Sequence, residues 1–150
     1  MLAKKFALGF GIAVIFPLLI HYGVSTFSPP PEWEDYYDSD YYRIYKEAGE
    51  EEKKELEQKR KEQTEDYNRA RKRFQKHLFA AAVPLGLVAI ITGSLTGVPA
   101  IGTGLMFGGI FSLIDGYALY WSELQHWMRF VSLLVAFCVL IFIGYKKLAR

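Results

Sequence analysis

Four long apolar runs leave this chain few folds to choose from. They cover residues 6–27, 78–95, 99–121 and 127–145. A helix of ~20 predominantly apolar residues crosses the hydrocarbon core of a bilayer. A soluble domain would instead interleave polar residues at helical or strand period. The expected fold is therefore all-α: a polytopic membrane protein with four transmembrane helices and a long charged extramembrane helix between the first and second. Lipid is the first partner such a chain needs.

Composition matters here mainly through its segregation. The chain is 51% hydrophobic and 23% charged, but 26 of its 34 charged residues lie in residues 32–76. Three segments follow: residues 1–27 with the first span, a charged loop over 28–77, and a three-helix bundle over 78–150. The net charge of +2 offers no bulk attraction for nucleic acid, and no such partner is expected. The single cysteine, Cys138, sits inside the fourth run, so neither an internal disulfide nor a cysteine metal cluster can form.

Lys4 and Lys5 precede the first span, as a signal peptide's basic start would. The run is long enough to span, however, and ends on Pro29, Pro30 and Pro31 without a convincing small-residue cleavage site, so it is expected to remain as a helix. Pro17 lies inside it and removes one backbone donor, which transmembrane helices tolerate. The link from Thr96 to Pro99 is so short that the second and third spans must form an antiparallel hairpin. Tyr22, Tyr120, Trp121, Trp127 and Tyr145 fall near the expected interfaces, where amphipathic rings are favoured.

Four spans put both termini on one side. Lys4, Lys5, Lys146, Lys147 and Arg150 favour the cytoplasmic side of a plasma membrane, with loop 28–77 on the other. Opposing them, Arg69, Arg71, Lys72, Arg73 and Lys76 precede the second span, and Arg129 lies at the same face. That basic run reads as an interface anchor, the alternatives being a nucleic acid or, if this side is cytoplasmic, anionic lipid headgroups.

The charged loop has two parts. Residues 29–45 are acidic and aromatic, and suit either a cap packed on the loop's own helix or a surface for a protein partner. Residues 46–76 read as one solvated helix, with glutamate-before-base pairs at Glu50/Lys54, Glu55/Lys59, Glu57/Lys61 and Glu65/Arg69. Between Glu50 and Asp66 the only aliphatic residue is Leu56, so no apolar stripe is available for burial. Nothing breaks helix between Gly49 and Pro84, so this helix can run on into the second span.

In the third span, Ala100, Gly104, Gly108, Ser112 and Gly116 recur every four residues. Lipid supplies no hydrophobic force between helices, so a ridge of small residues marks close packing. The partner is either another helix of the chain or a second copy in a homo-oligomer. Asp115 is the only acidic residue inside an apolar span. It lies six residues before Trp121, roughly 9 Å along the helix. His21 lies equally far from the end of the first span, so His21 and Asp115 form a candidate intramembrane polar pair. His77, Glu123, His126 and Arg129 gather at the same face. A metal site from His21, Asp115, Glu123 and His126 would use suitable ligand types, but a carboxylate-bridged di-iron site needs a second Glu/His half and two more glutamates. No metal or cofactor is expected. No phosphate-binding glycine loop, nucleophile–histidine pattern or zinc-protease motif is present, so no catalytic residue is assigned.

The run Pro17–Phe27 with the proline-rich stretch after it, the segment Gly104–Trp121 and the ending Ile143–Leu148 resemble a group of small prokaryotic membrane proteins with one helix, a charged loop and three more helices. Some of that group carry cysteines after the proline-rich stretch, and this chain has none there. The resemblance implies an architecture and no activity. The expected function is that of a non-enzymatic, membrane-anchored accessory protein whose charged loop meets a partner. The alternative is a small oligomeric transporter or channel subunit using Asp115 and His21 for a proton or cation.

Overall fold

The computed structural model describes residues 2–148, with side chains for residues 2–145. The structure is all-helical: α1 (Leu2–Phe27), α2 (Tyr41–Glu47), α3 (Glu50–Leu95), α4 (Pro99–Tyr120) and α5 (His126–Leu148), with short 3-10 turns at Trp33–Asp35 and Trp121–Glu123. Among the described residues, four helices are long and apolar enough to cross a membrane. The side chains of Lys146 and Lys147, and all of Arg150, lie outside the described residues.

No separate charged helix stands between the first two apolar ones. The charged residues form the first part of α3, which runs unbroken for 46 residues and ends on apolar sequence at Leu95. The expected start at Lys46 also moves. Lys46 and Glu47 end α2, and Ala48 and Gly49 are extended. The Gly49 N–H then donates to Glu52 Oε2 at 3.1 Å, closing one of the open donors at the start of α3. Glu50, Glu51 and Glu52 occupy its first turn, where carboxylates suit the positive end of the helix dipole. Pro84 lies within α3 and does not end it.

α4 is the centre of the bundle, packing on α3 and α1, whereas α5 makes its main contacts with α3 alone. In the most apolar window of α4, 44% of residues are buried, against 6% in α5. The difference follows from side-chain size. A methyl group added at Gly104 would come within 2.6 Å of the Gly9 carbonyl oxygen, so α1 and α4 touch backbone to backbone. A methyl group at Gly108 would lie 3.0 Å from Phe16 Cβ on the same face. Toward α3, a methyl group at Gly93 would lie 2.6 Å from the Gly102 oxygen, and one at Gly109 would collide with the Gly86 oxygen.

The four-residue ridge is thus shared between two neighbours of the same chain. A four-residue step advances a helix by about 40° beyond a full turn, so five positions sweep about 160°. Gly104 and Gly108 accordingly meet α1, while Gly116 meets Ala82 and Phe79 of α3. Ser112, only 1% exposed, donates its hydroxyl to the Gly108 carbonyl at 2.9 Å, which satisfies it inside the core. The α3–α4 seam has its own seven-residue set: Gly86 and Gly93 against Gly102, Gly109 and Gly116, running antiparallel.

Candidate functional site

The structure brings His21 and Asp115 together. α1 and α4 run side by side in the same direction, with Gly9 beside Gly104, Phe16 beside Gly108 and His21 beside Asp115. The glycine contacts hold the two axes close enough for the short Asp115 side chain to reach across. Asp115 Oδ2 and His21 Nδ1 lie within hydrogen-bonding distance at 2.9 Å, and both side chains are about one-third exposed at 30% and 35%. The Phe74 ring of α3 stands edge-on to His21, centroids 5.8 Å apart, so three helices meet at the pair. Phe74 itself belongs to a core cluster with Ile20, Leu78 and Ala82.

The other polar groups of this face do not join that pair. His77 Nδ1 lies 2.9 Å from Ser28 Oγ, tying α3 to the end of α1. Glu123 pairs with Lys72 Nζ at 3.1 Å. His126 is exposed at the start of α5. Among the described residues no three His, Cys, Asp or Glu side chains gather as metal ligands do. Arg129 stacks on Trp121, 4.7 Å from its ring centroid, and donates to the Trp121 carbonyl at 2.6 Å, which clamps the start of α5 to the end of α4. Of the basic run, Arg69 pairs with Glu65 and Asp66 at 3.7 and 3.8 Å, and Arg71, Lys72, Arg73 and Lys76 are exposed along α3.

The acidic-aromatic segment folds back on α3. Trp33 stacks on Tyr37 with centroids 3.7 Å apart, and both rings meet Tyr67. The Arg60 guanidinium lies 4.3 Å from the Tyr41 ring, with Tyr37 and Tyr42 beside it. Tyr37 donates to Thr64 Oγ1 at 3.1 Å and Tyr45 to Glu57 Oε1 at 2.7 Å. The hydrogen bond to the Glu57 carboxylate, and the charge on it, hold the Tyr45 pKa above its ordinary value of 10.0. Lys53, Glu57, Arg60, Thr64 and Tyr67 recur at three-four spacing, so this strap occupies one face of α3.

The segment thus packs on the loop's own helix, as the cap reading has it, but the face of α3 that receives it is not evident from Leu56, the only aliphatic residue between Glu50 and Asp66. The usable signal is an arginine and a tyrosine, Arg60 and Tyr67, at helical spacing beside a tyrosine-rich segment. Of the expected glutamate-base pairs, Glu65/Arg69 forms, while Glu50 takes Lys53 at 3.6 Å and Glu57 takes the Tyr45 hydroxyl. No family model, no curated protein and no solved structure matches the chain.

Proposed function

We propose that this chain is a membrane-anchored accessory protein whose charged arm receives a protein partner beside the bilayer. One observation carries the reading: α3 is a single helix of 46 residues. At 1.5 Å per residue it is roughly 69 Å long, and a hydrocarbon core of ~30 Å accommodates less than half of it. The charged residues before Leu78 then stand outside the lipid as a continuation of the second span, so a partner gripping the arm is held rigidly relative to the bundle. The strap covers one side of the arm. Glu51, Glu55, Gln58, Glu62 and Asp66 fall on the opposite side by helical rotation and are all exposed. The carboxylates of Glu51, Glu55 and Glu62 on this side suit a partner with a basic surface, whereas Asp66 is answered by Arg69 at 3.8 Å. In the orientation set by Lys4 and Lys5, both termini are cytoplasmic and the arm lies outside a plasma membrane.

Photo-crosslinking residues placed singly along the arm in intact membranes test this reading. Discrete adducts at Glu55, Gln58 and Glu62, weakened by raised salt and absent at Arg60 and Thr64, are the expected result. The absence of adducts at every arm position would refute it.

A second reading rests on the 2.9 Å contact of His21 with Asp115, a polar pair between two apolar helices, about 9 Å from the end of each. A proton or cation conductor would use it. Ion flux into liposomes above that of empty liposomes, lost in Asp115→Asn, supports conduction. Flux equal to that of empty liposomes eliminates it.

A further inference from the structure

Between α3 and the turn that joins α4 to α5 lies a recess of about 350 Å3. Its polar lining is Asn68, Arg71, Lys72 and Gln75 from α3, with Ser122 and Glu123 from the turn. The Lys72 charge is answered by Glu123 at 3.1 Å. Arg71 makes no ion pair with any described residue, so one positive charge is left over. Gln75 is buried, only 6% exposed, and its amide makes no hydrogen bond to another described side chain. Its amide still reaches the space of the recess, so its N–H can donate to a bound group. Arg71, Asn68, Gln75 and Ser122 together offer a guanidinium fork, two amides and a hydroxyl around one space. That donor set fits the oxygens of a phosphate group.

The position of the recess favours a phospholipid as the source of that phosphate. The recess lies where the charged part of α3 gives way to apolar sequence and where Trp121 ends α4. Ala118 lines it and also belongs to the exposed stripe of α4 that continues through Ile114, Phe111 and Phe107. A headgroup seated at Arg71 would leave its acyl chains free to lie along that stripe. We infer that the recess is a binding site for a phosphate group, supplied by the headgroup of an anionic phospholipid.

Native mass spectrometry of the full chain in detergent tests this with three probes: phosphatidylglycerol, phosphatidylcholine and inorganic phosphate. The expected result is one retained phosphatidylglycerol per chain, preferred over phosphatidylcholine. Arg71→Gln should weaken its binding about tenfold, as loss of a charge-assisted contact does. Arg73→Gln, on the same helix outside the recess, should leave it unchanged. Glu123→Gln should strengthen it severalfold by freeing Lys72, a gain that a folding defect cannot mimic. If inorganic phosphate alone displaces the lipid at millimolar concentration and raises the melting temperature as much, the site stands and its natural ligand is the free ion. Equal weakening by Arg71→Gln and Arg73→Gln would show diffuse attraction to a basic helix and overturn the inference. So would a lack of preference for phosphatidylglycerol combined with no effect of phosphate.

Discussion

α4 and α5 are nearly equal in length and both strongly apolar, yet one is the axis of the bundle and the other barely joins it. α4 presents Gly104 and Gly108 to α1, and Gly102, Gly109 and Gly116 to α3. α5 presents Trp127, Phe130, Phe137 and Phe142, all at least 60% exposed. For helices within lipid the lesson is that apolarity selects the environment and side-chain size selects the neighbours. Lipid tails solvate phenylalanine and leucine as well as another helix does, whereas close backbone approach is available only where side chains are absent. The same logic explains how α5 is attached at all: Arg129 clamps its start to Trp121, and Ile143 packs with Ile90 further along.

The largest expected effect breaks the α4 side of this contrast. Gly109→Ala drives a methyl group into the Gly86 carbonyl, which is backbone and cannot swing away. A loss of about 3 kcal/mol, the upper range of overpacking, is expected in reversible unfolding from mixed micelles. A loss under 0.5 kcal/mol would mean that α3 and α4 are not in backbone contact. Next comes the polar contact beside the glycine seam. His21→Ala and Asp115→Ala should each destabilise the bundle, with a coupling of about 1 kcal/mol in the double-mutant cycle, the range found for hydrogen bonds between membrane helices. Strict additivity would separate the two side chains. The smallest effect belongs to α5. Phe137→Ala removes a ring that lies 60% exposed, and should change stability by less than about 0.5 kcal/mol. A loss above about 2 kcal/mol would place Phe137 against a helix rather than lipid.

Outside the four apolar helices, the strap adds a pH dependence with a definite sign. Tyr45 is ordinarily neutral up to about pH 10, and its contact with Glu57 raises that limit. The contact is fully present below pH 10 and is lost as pH rises through the raised value. Hydrogen exchange in residues 41–47 should therefore quicken in strongly alkaline buffer, and Tyr45→Phe should remove that pH dependence.

How much of this could be read from sequence varies with the distance between the residues concerned. The four apolar helices are legible because each is a property of one continuous stretch. The small residues of α4 are legible as close-packing positions, but not their division between α1 and α3, which depends on a drift of about 40° per step and on where each neighbour stands. The Gly86/Gly93 set against Gly102/Gly109 was hidden because seven-residue spacing acquires meaning only once the antiparallel register of two helices is known. The equal depth of His21 and Asp115 comes from counting residues to the span ends. Their 2.9 Å contact required α1 to lie against the glycine face of α4 rather than against α5. The strap was least legible. Its contacts join residues 33–45 to residues 53–67 through a break at Ala48 and Gly49, and local charge pairing pointed Glu50 and Glu57 at lysines they do not meet.

Lipid-borne carbene labelling of the protein in bilayers, read residue by residue by mass spectrometry, tests the contrast between α4 and α5 most directly. Dense labelling of α5 at Phe130, Phe137 and Phe142, with α4 labelled only at Phe107, Phe111 and Ile114 and spared at its glycines and Ser112, is the expected pattern. Equal labelling around both helices, or an α5 as protected as the glycine faces of α4, would contradict it.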